Sequence, residues 1–152
     1  MDHITIYCDG GCRGNQSDQN IGGWGAVLSY HDRVKELKGG AKNTTNNVME
    51  LTAVISALEA LKSDHIPIDF FIDSAYVVNG MNSWVKGWIK NNWHTSAGAP
   101  VKNQQLWKRL SDLAAKQQTI TFNKVKGHSG VDLNERADRL ANDAMDQISA
   151  KN

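Results

Sequence analysis

The sequence predicts an α/β domain with a mixed five-stranded sheet, in which three antiparallel strands come first, parallel strands follow, and helices pack on the sheet. Two observations predict this class. Side chains alternate between two faces over His3–Asp9, and extended runs follow at Gly23–Tyr30 and Arg33–Lys38. The rest of the chain alternates helix-like with strand-like segments. A strand, a helix and another strand in this order indicate a crossover with parallel pairing.

Length and composition favour a single domain over residues 1–152. Of these 152 residues 40% are hydrophobic, which is enough for a substantial core. There is no N-terminal apolar stretch with a small-residue cleavage site, and no run approaches the roughly 20 apolar residues that span a bilayer, so we expect a cytoplasmic protein with no membrane contact. We also expect a monomer, which no particular sequence feature indicates. Cys8 and Cys12 lack zinc-ligand spacing and are expected to be reduced thiols.

The first predicted strand covers His3–Asp9, where side chains alternate between two faces. Gly10, Gly11 and Gly14 are expected to break it. Extended runs at Gly23–Tyr30 and Arg33–Lys38 are separated by two residues, which indicates an antiparallel meander.

The two glycines Gly39 and Gly40 are expected to end this meander. A helix is predicted from about Val48 to Lys62, because the capping residues Thr44–Asn47 precede a regular apolar stripe. Glu50 then lies in the first turn.

A short apolar strand, Ile68–Asp73, is predicted to follow. From Ser74 to Leu113 the pattern is helical in pieces, with breaks expected at Gly80 and at Ser96–Pro100. The last strand is predicted over Thr119–Lys126, with a loop from position 127 to 130.

The final helix is predicted to begin with Asp132 as its N-cap and Glu135 three residues on. Asp138 sits in the second turn, beside the apolar face. That face comprises Ala137, Leu140, Ala141, Ala144 and Ile148.

Four acidic residues lie at strand ends or near helix starts, where α/β domains gather the side chains of a site. They are Asp9, Glu50, Asp73 and Asp138. Grouped carboxylates repel one another, so a fold that keeps them together must usually offset the repulsion with a cation. Oxygen ligands select hard ions such as Mg²⁺ or Mn²⁺, which indicates a metal-dependent phosphodiester hydrolase.

Four motifs occur in order at compatible spacings on suitable elements. They are Tyr7–Cys12, Thr44–Leu51, Phe71–Ser74, and Val125–Gly130 followed by Asn134–Asp138. On these motifs the chain resembles type 1 ribonuclease H of the bacterial kind over essentially its whole length. The resemblance implies a ribonuclease H-like fold.

The resemblance also implies an endonuclease that cuts the RNA strand of RNA/DNA hybrids and leaves 5′-phosphate and 3′-hydroxyl ends. Asp9, Glu50, Asp73 and Asp138 would hold two Mg²⁺ ions, with Mn²⁺ as a substitute. Each carboxylate alone could instead be a helix cap or a surface charge. Asp138 could simply pair with neighbouring arginines, Arg136 and Arg139.

By the same resemblance, His128 takes part in proton transfer or product release. A histidine in a loop is otherwise often just solvated. Glu135 resembles an accessory acidic residue near the metals, although it could instead complete a helix cap with Asp132.

The charge distribution indicates where nucleic acid binds. No acidic residue occurs between Asp73 and Asp112. This interval contains five cations and four tryptophans, namely Lys86, Lys90, Lys102, Lys108, Arg109, Trp84, Trp88, Trp93 and Trp107. Cations neutralise phosphates and aromatic faces pack on sugars or bases, although some of these tryptophans are expected to be core residues.

The resemblance assigns this interval to a basic protrusion that grips the DNA strand, with Lys86 and Lys90 among its cations. It places Trp84 in the DNA channel, and Thr45 and Asn103 in a phosphate pocket. The protrusion has fewer cations than in many relatives, so we expect weaker affinity and a shallower salt dependence.

Asn15, Asn46 and Asn47 match residues of the family that read the minor groove, where contacts to the 2′-hydroxyl distinguish RNA from DNA. Asn46 and Asn47 could alternatively cap the helix. Ala75 stands where the family often carries Gln, which puts one polar contact in doubt.

Two other functions stay open at this level. One is a hybrid-binding domain without chemistry, which the intact carboxylate set argues against. The other is a different nuclease of the same superfold, such as a Holliday-junction resolvase or an integrase core. The asparagines and the tryptophan-rich interval favour the hybrid nuclease.

Overall fold

A five-stranded mixed sheet is the centre of the computed structural model, which describes residues 3–14, 20–125 and 132–150. The strands are β1 (Ile4–Arg13), β2 (Ile21–Tyr30), β3 (Arg33–Lys42), β4 (Ile68–Ile72) and β5 (Ile120–Lys124). The helices are α1 (Asn46–Glu59), α2 (Ala75–Asn79), α3 (Val85–Lys90), α4 (Gln104–Ala115) and α5 (Asp132–Ala150). A π-helical segment, Gly80–Trp84, joins α2 to α3.

The strand order is β3-β2-β1-β4-β5. β1, β2 and β3 pair antiparallel, whereas β1 with β4 and β4 with β5 pair parallel. The predicted fold class is therefore confirmed, including the crossover through α1.

Helices cover both faces of the sheet. Successive residues of β2 point to opposite faces: a β-carbon at Gly22 would meet Met49 of α1, and one at Gly23 would meet Ala141 of α5. At Gly25 a β-carbon would lie 2.5 Å from the carbonyl oxygen of Ala137, so α5 rests directly on the backbone of β2.

The main core lies between the sheet and the layer of α1 and α4. Its largest fully buried side chains include Trp107, Phe70, Ile6 and Leu51. The Phe70 and Phe122 rings stack across β4 and β5 with centroids 5.2 Å apart. This packing fixes α1 and α4 relative to the carboxyl ends of the parallel strands.

Two predicted strand ends were wrong. β1 continues through Gly10 and Gly11 to Arg13, with Gly14 beyond it at a φ of 71°. A β-carbon at Gly10 would lie 2.6 Å from the carbonyl carbon of Met49, so this glycine permits close approach of α1 and does not break the strand.

β3 likewise continues through Gly39 and Gly40 to Lys42. The indole of Trp24 lies over Gly39, where a β-carbon would be 2.6 Å from Nε1. Here too the missing side chain makes room for a neighbour.

The break predicted at Gly80 was also wrong, because the helical backbone continues through the π segment. A β-carbon at Gly80 would collide with the Trp107 ring. The break at Ser96–Pro100 is present, since no helix covers residues 91–103.

Several boundaries differ by a few residues. α1 begins at Asn46 and ends at Glu59, which places Glu50 in the second turn and not the first. Asp132 lies inside the first turn of α5 together with Glu135, and so is not the N-cap. The loop predicted at 127–130 lies outside the described residues.

Cys8 is buried on β1 and Cys12 is half-buried, and both are free thiols. None of the helices in the described part of the chain is long and apolar enough to cross a membrane.

Candidate active site

Asp9 and Asp73 lie just beyond the end of the parallel ladder between β1 and β4, Asp9 within β1 and Asp73 after the last residue of β4. The last pair of the β1–β4 ladder is Cys8 with Ile72, and Asp9 and Asp73 are the next residues on their chains. Ser74 then caps α2 by accepting a hydrogen bond from the Val77 amide at 3.3 Å. Since the Ser74 side chain caps the helix, the Asp73 carboxylate is left exposed at the strand end.

Glu50 reaches the same edge from α1 and is only 8% exposed. Its position follows from the contact between α1 and the backbone of β1 at Gly10. The Glu50 Oε2 atom is buried without a hydrogen-bond partner among the described residues. An unpartnered carboxylate oxygen is costly, so this atom marks a place where a cation or donor would be favourable.

Asp138 approaches from α5 on the other face of the sheet. Asp138 lies near Asp9 and helps to raise the pKa of that carboxyl group. Arg136, which could have neutralised it, pairs instead with Glu36 at 3.0 Å. The second turn of α5 thus carries Asp138 close to Asp9.

Burial and mutual repulsion raise the pKa values of two of these carboxyl groups. Burial and the neighbouring Asp138 raise the pKa of Asp9 to about 7. A hydrogen bond from the Gly10 amide at 2.9 Å lowers this pKa but does not cancel the rise. Burial, followed by the charges of Asp9 and Asp73, raises the pKa of Glu50 to about 9. The four acidic side chains thus interact electrostatically.

Within residues 3–14, 20–125 and 132–150, no three acidic, histidine or cysteine side chains are close enough together to hold a metal ion. The chemistry of the donor set nevertheless fits a hard divalent cation, because the side chains offer only oxygen and one of them is a buried, unpartnered carboxylate. A cation would offset the repulsion that raises the pKa values of Asp9 and Glu50.

At the start of α1, Thr45 is the N-cap: its hydroxyl accepts a hydrogen bond from the Val48 amide at 3.1 Å. Asn46 and Asn47 lie in the first turn, so the alternative that they cap the helix was wrong. The Asn46 side chain lies over Gly11, whose β-carbon position is 3.9 Å from Oδ1. The Asn46 amide is therefore available beside Gly11 of β1.

The four tryptophans of the acid-free interval divide into core and surface. Trp107 is fully buried, whereas Trp84 is 40% exposed. Trp88 contacts both rings, with centroids 5.9 Å from Trp84 and 5.2 Å from Trp107. Through Trp88, the exposed Trp84 is thus in contact with an aromatic cluster that extends to the buried Trp107. Trp93 also contacts Trp88.

The cations of this interval also differ from one another. Lys86 and Lys90 are exposed on α3 without an ion-pair partner in the described part of the chain. Arg109 pairs with Glu59 at 2.6 Å, and Lys108 lies 5.7 Å from the Trp93 ring centroid. Lys86 and Lys90 are thus the better placed to meet a phosphate.

Asn103 precedes α4 in a left-handed conformation, with φ 59° and ψ 33°. Its side chain does not cap the helix and donates from Nδ2 to the Tyr76 hydroxyl at 3.2 Å. Tyr76 was missed in the sequence. Its place at the start of a helix that leaves a parallel strand, three residues after Asp73, is the signal that could have indicated it.

Two candidate residues, Asn15 and His128, lie outside the described residues. Glu135 is exposed in the first turn of α5, one turn before Asp138.

Comparison with known proteins gives consistent matches. The RNase H family model matches residues 1–146. The ribonuclease H of Ruthia magnifica subsp. Calyptogena magnifica is 53% identical over 149 residues, which cover 98% of this chain and 99% of that protein.

Solved structures agree. LC9-RNase H1, a type 1 RNase H with the type 2 active-site motif, superposes with a TM-score of 0.85 at 30% identity, covering 97% of this chain and 74% of that one. LC11-RNase H1, solved in complex with RNA/DNA hybrid, shares the fold with a TM-score of 0.73 at 24% identity, covering 95% and 98% of the two chains.

Proposed function

This chain belongs to the ribonuclease H family, and from that membership we propose that it hydrolyses the RNA strand of RNA/DNA hybrids with two divalent cations, leaving 5′-phosphate and 3′-hydroxyl ends. The observation that carries the proposal is the buried, unpartnered Oε2 atom of Glu50 among interacting carboxylates. A protein that only bound hybrid would gain nothing from negative charge held beside a phosphate.

Asp9, Glu50, Asp73 and Asp138 are the proposed holders of the ions, with Mg²⁺ as the ion and Mn²⁺ as its substitute. When bound, divalent ions lower the pKa of water and stabilise charge at the attacked phosphorus and on the leaving oxygen. The four carboxylates would hold the ions beside the scissile phosphate, and the Gly10 amide fixes the orientation of Asp9 by donating a hydrogen bond to it.

Proton transfer and accessory roles complete the proposed chemistry. His128 moves a proton or assists product release, and Glu135 is an accessory acid one turn before Asp138. The exposure of Glu135 on the same helix supports the latter role.

The substrate contacts that we propose fall into two groups. Thr45 and Asn103 bind a phosphate of the DNA strand, while Trp84 packs on that strand and Lys86 and Lys90 neutralise it. The second group reads the minor groove and comprises Asn15, Asn46 and Asn47. LC11-RNase H1, which shares the fold, was solved with RNA/DNA hybrid, and this supports a hybrid as the partner.

We also propose that residues 1–152 act as one domain, as a monomer and in the cytoplasm. The family model extends over residues 1–146, which supports the single-domain organisation.

The decisive experiment incubates the protein with labelled RNA/DNA hybrid, duplex DNA and duplex RNA, with Mg²⁺ or with chelator. Cleavage of the hybrid alone, only with Mg²⁺, is expected. The RNA products should accept a 5′ label from polynucleotide kinase only after phosphatase treatment. Asp73→Asn should abolish cleavage, whereas Asp112→Asn, at an exposed position of α4, should not.

Several outcomes would contradict the proposal. Metal-dependent cutting of duplex DNA would indicate another nuclease of the superfold. Tight hybrid binding without cleavage would indicate a binding domain. Undiminished cleavage in chelator would remove the role of the ions.

A further inference from the structure

Tyr76 is the residue through which two of the proposed substrate contacts meet. It is the second residue of α2 and is half-buried. Its hydroxyl accepts hydrogen bonds from Asn103 Nδ2 at 3.2 Å and from Trp107 Nε1 at 2.8 Å. Its ring centroid lies 6.0 Å from that of Trp84 and 5.2 Å from that of Trp107.

The Asn103 side chain contacts Tyr76 and does not cap α4. An asparagine before a helix ordinarily caps it by accepting from a backbone amide. Asn103 makes no such cap and donates to Tyr76 instead. Its amide keeps a second N–H and its carbonyl oxygen, so Tyr76 fixes the direction in which the remaining N–H can donate.

The contact with Trp84 depends on the π segment. Each residue of an α-helix turns by about 100°, so eight residues would leave Trp84 about 80° around the axis from Tyr76. The π turn at Gly80–Trp84 holds one extra residue and returns Trp84 toward the Tyr76 face. The two rings meet edge to face as a result, with an interplanar angle of 65°.

Trp107 connects Tyr76 to the core. Trp107 is fully buried, and among the described residues its indole N–H has Tyr76 as its partner. The Tyr76 hydroxyl therefore has one hydrogen bond on the core side, from Trp107, and a separate one from Asn103.

We propose that Tyr76 is a positioning residue for the nucleic-acid substrate, whose hydroxyl aims the Asn103 amide at a phosphate of the DNA strand while its ring supports Trp84. This inference rests on the proposed function. Tyr76 need not touch the scissile phosphate; it determines how the two contacting side chains are presented. Its loss should affect binding more than the chemical step.

The test uses the full chain, Mg²⁺ and a set of RNA/DNA hybrids in which one uncharged methylphosphonate is moved along the DNA strand. In the wild type, one linkage should be sensitive and raise KM when neutralised. Tyr76→Phe keeps the ring and removes the hydroxyl. On unmodified hybrid it should raise KM about threefold to tenfold with kcat unchanged within about twofold, as expected for the removal of one hydrogen bond.

The rise in KM that the methylphosphonate causes at that one linkage, here called the position-specific penalty, distinguishes a positioning role from a general loss of stability. It should disappear in Tyr76→Phe and in Asn103→Ala, and the double variant should be no worse than Asn103→Ala alone. Trp107→Phe is the matched control: it removes the other hydrogen bond to the same hydroxyl but leaves the Asn103 contact, so the penalty should persist. Tyr76→His serves as the second variant if Tyr76→Phe does not fold: its shorter ring cannot place an acceptor at the position of the hydroxyl, so the penalty should be lost there too.

An unchanged penalty and KM in folded Tyr76→Phe would overturn the inference. Loss of the penalty in Trp107→Phe as well would also overturn it, because the role would then be structural. Failure of the wild type to cleave any hybrid would instead overturn the proposed function.

Discussion

A β-carbon at Gly10 would lie 2.7 Å from the backbone nitrogen of Glu50, so β1 and α1 touch through backbone atoms between two of the four acidic side chains. This contact sets the depth at which Glu50 enters the site.

Replacing Gly10 by alanine should therefore displace α1 and weaken both folding and cleavage. Overpacking of this kind costs about 1–3 kcal/mol. Urea denaturation measures the stability loss, and hybrid cleavage in Mg²⁺ measures the activity loss. Gly87→Ala is the matched control, since beyond the backbone of α3 itself no atom of the described residues lies within 4 Å of its β-carbon position, and the change should stabilise by about 0.4–1 kcal/mol. Equal stability of Gly10→Ala and wild type would contradict the interpretation.

In chelator, the free energy of unfolding should fall as pH rises from about 5 to 9. The native pKa of Glu50 is about 9, above its ordinary value of 4.5, so over this range the native state holds a proton that the unfolded state has lost. That stabilisation is complete below the unfolded pKa and disappears as pH passes through the native one. Each such carboxyl group contributes up to about 1.4 kcal/mol per pH unit.

Glu50→Gln should flatten this dependence when urea denaturation is repeated at several pH values, while Asp112→Asn should leave it as in the wild type. Mg²⁺ at pH 8 should stabilise the wild type more than Glu50→Gln, because the ion offsets the repulsion. A wild-type stability that rises with pH in chelator would count against the raised pKa values.

Lys86→Ala and Lys90→Ala should each make hybrid binding less dependent on salt. Removing one phosphate contact should reduce the slope of log Kd against log salt by about 0.7–0.9. Fluorescence anisotropy titrations from low to high salt measure this slope. Arg109→Ala serves as the control with an unchanged slope, since that guanidinium pairs with Glu59. A more basic relative should show a steeper slope than this chain, and equal slopes would refute that expectation.

Trp84→Ala should weaken hybrid binding, whereas Trp107→Ala should lower the stability of the fold. Trp84 is 40% exposed, so its truncation should weaken hybrid binding by roughly tenfold, as when one stacking interaction is removed, with little change in stability. Trp107 is fully buried, and its truncation should cost about 3–5 kcal/mol. Binding titrations and urea denaturation distinguish the two, and a large stability loss in Trp84→Ala would contradict this division.

Strands and helices with strong periodicity could be predicted from the sequence. The run ending at Asp73 and the stripe of α1 indicated the crossover, and parallel pairing then followed from chain order. Asp9 and Asp73 could therefore be placed side by side. Asp138 was harder, because its place depends on α5 resting on the backbone of β2, where Ala137 meets Gly25, and no local pattern indicates that contact.

The breaks that were wrongly predicted came from glycine. In sequence, Gly10, Gly39 and Gly80 all look like breaks, but in the structure each makes room for a neighbour from a distant part of the chain. The hydrogen bond between Asn103 and Tyr76 could not be predicted from the sequence either, since these residues are 27 positions apart in the chain.

The seating of α5 on Gly23 and Gly25 has a consequence for how mutational surveys of this protein should be read. Either side chain would lift the helix that carries Asp138 away from the sheet. In saturation mutagenesis scored by activity, these two positions should be as intolerant as the acids, although neither reaches the substrate. At such positions, intolerance to substitution reflects the distance required between α5 and the sheet.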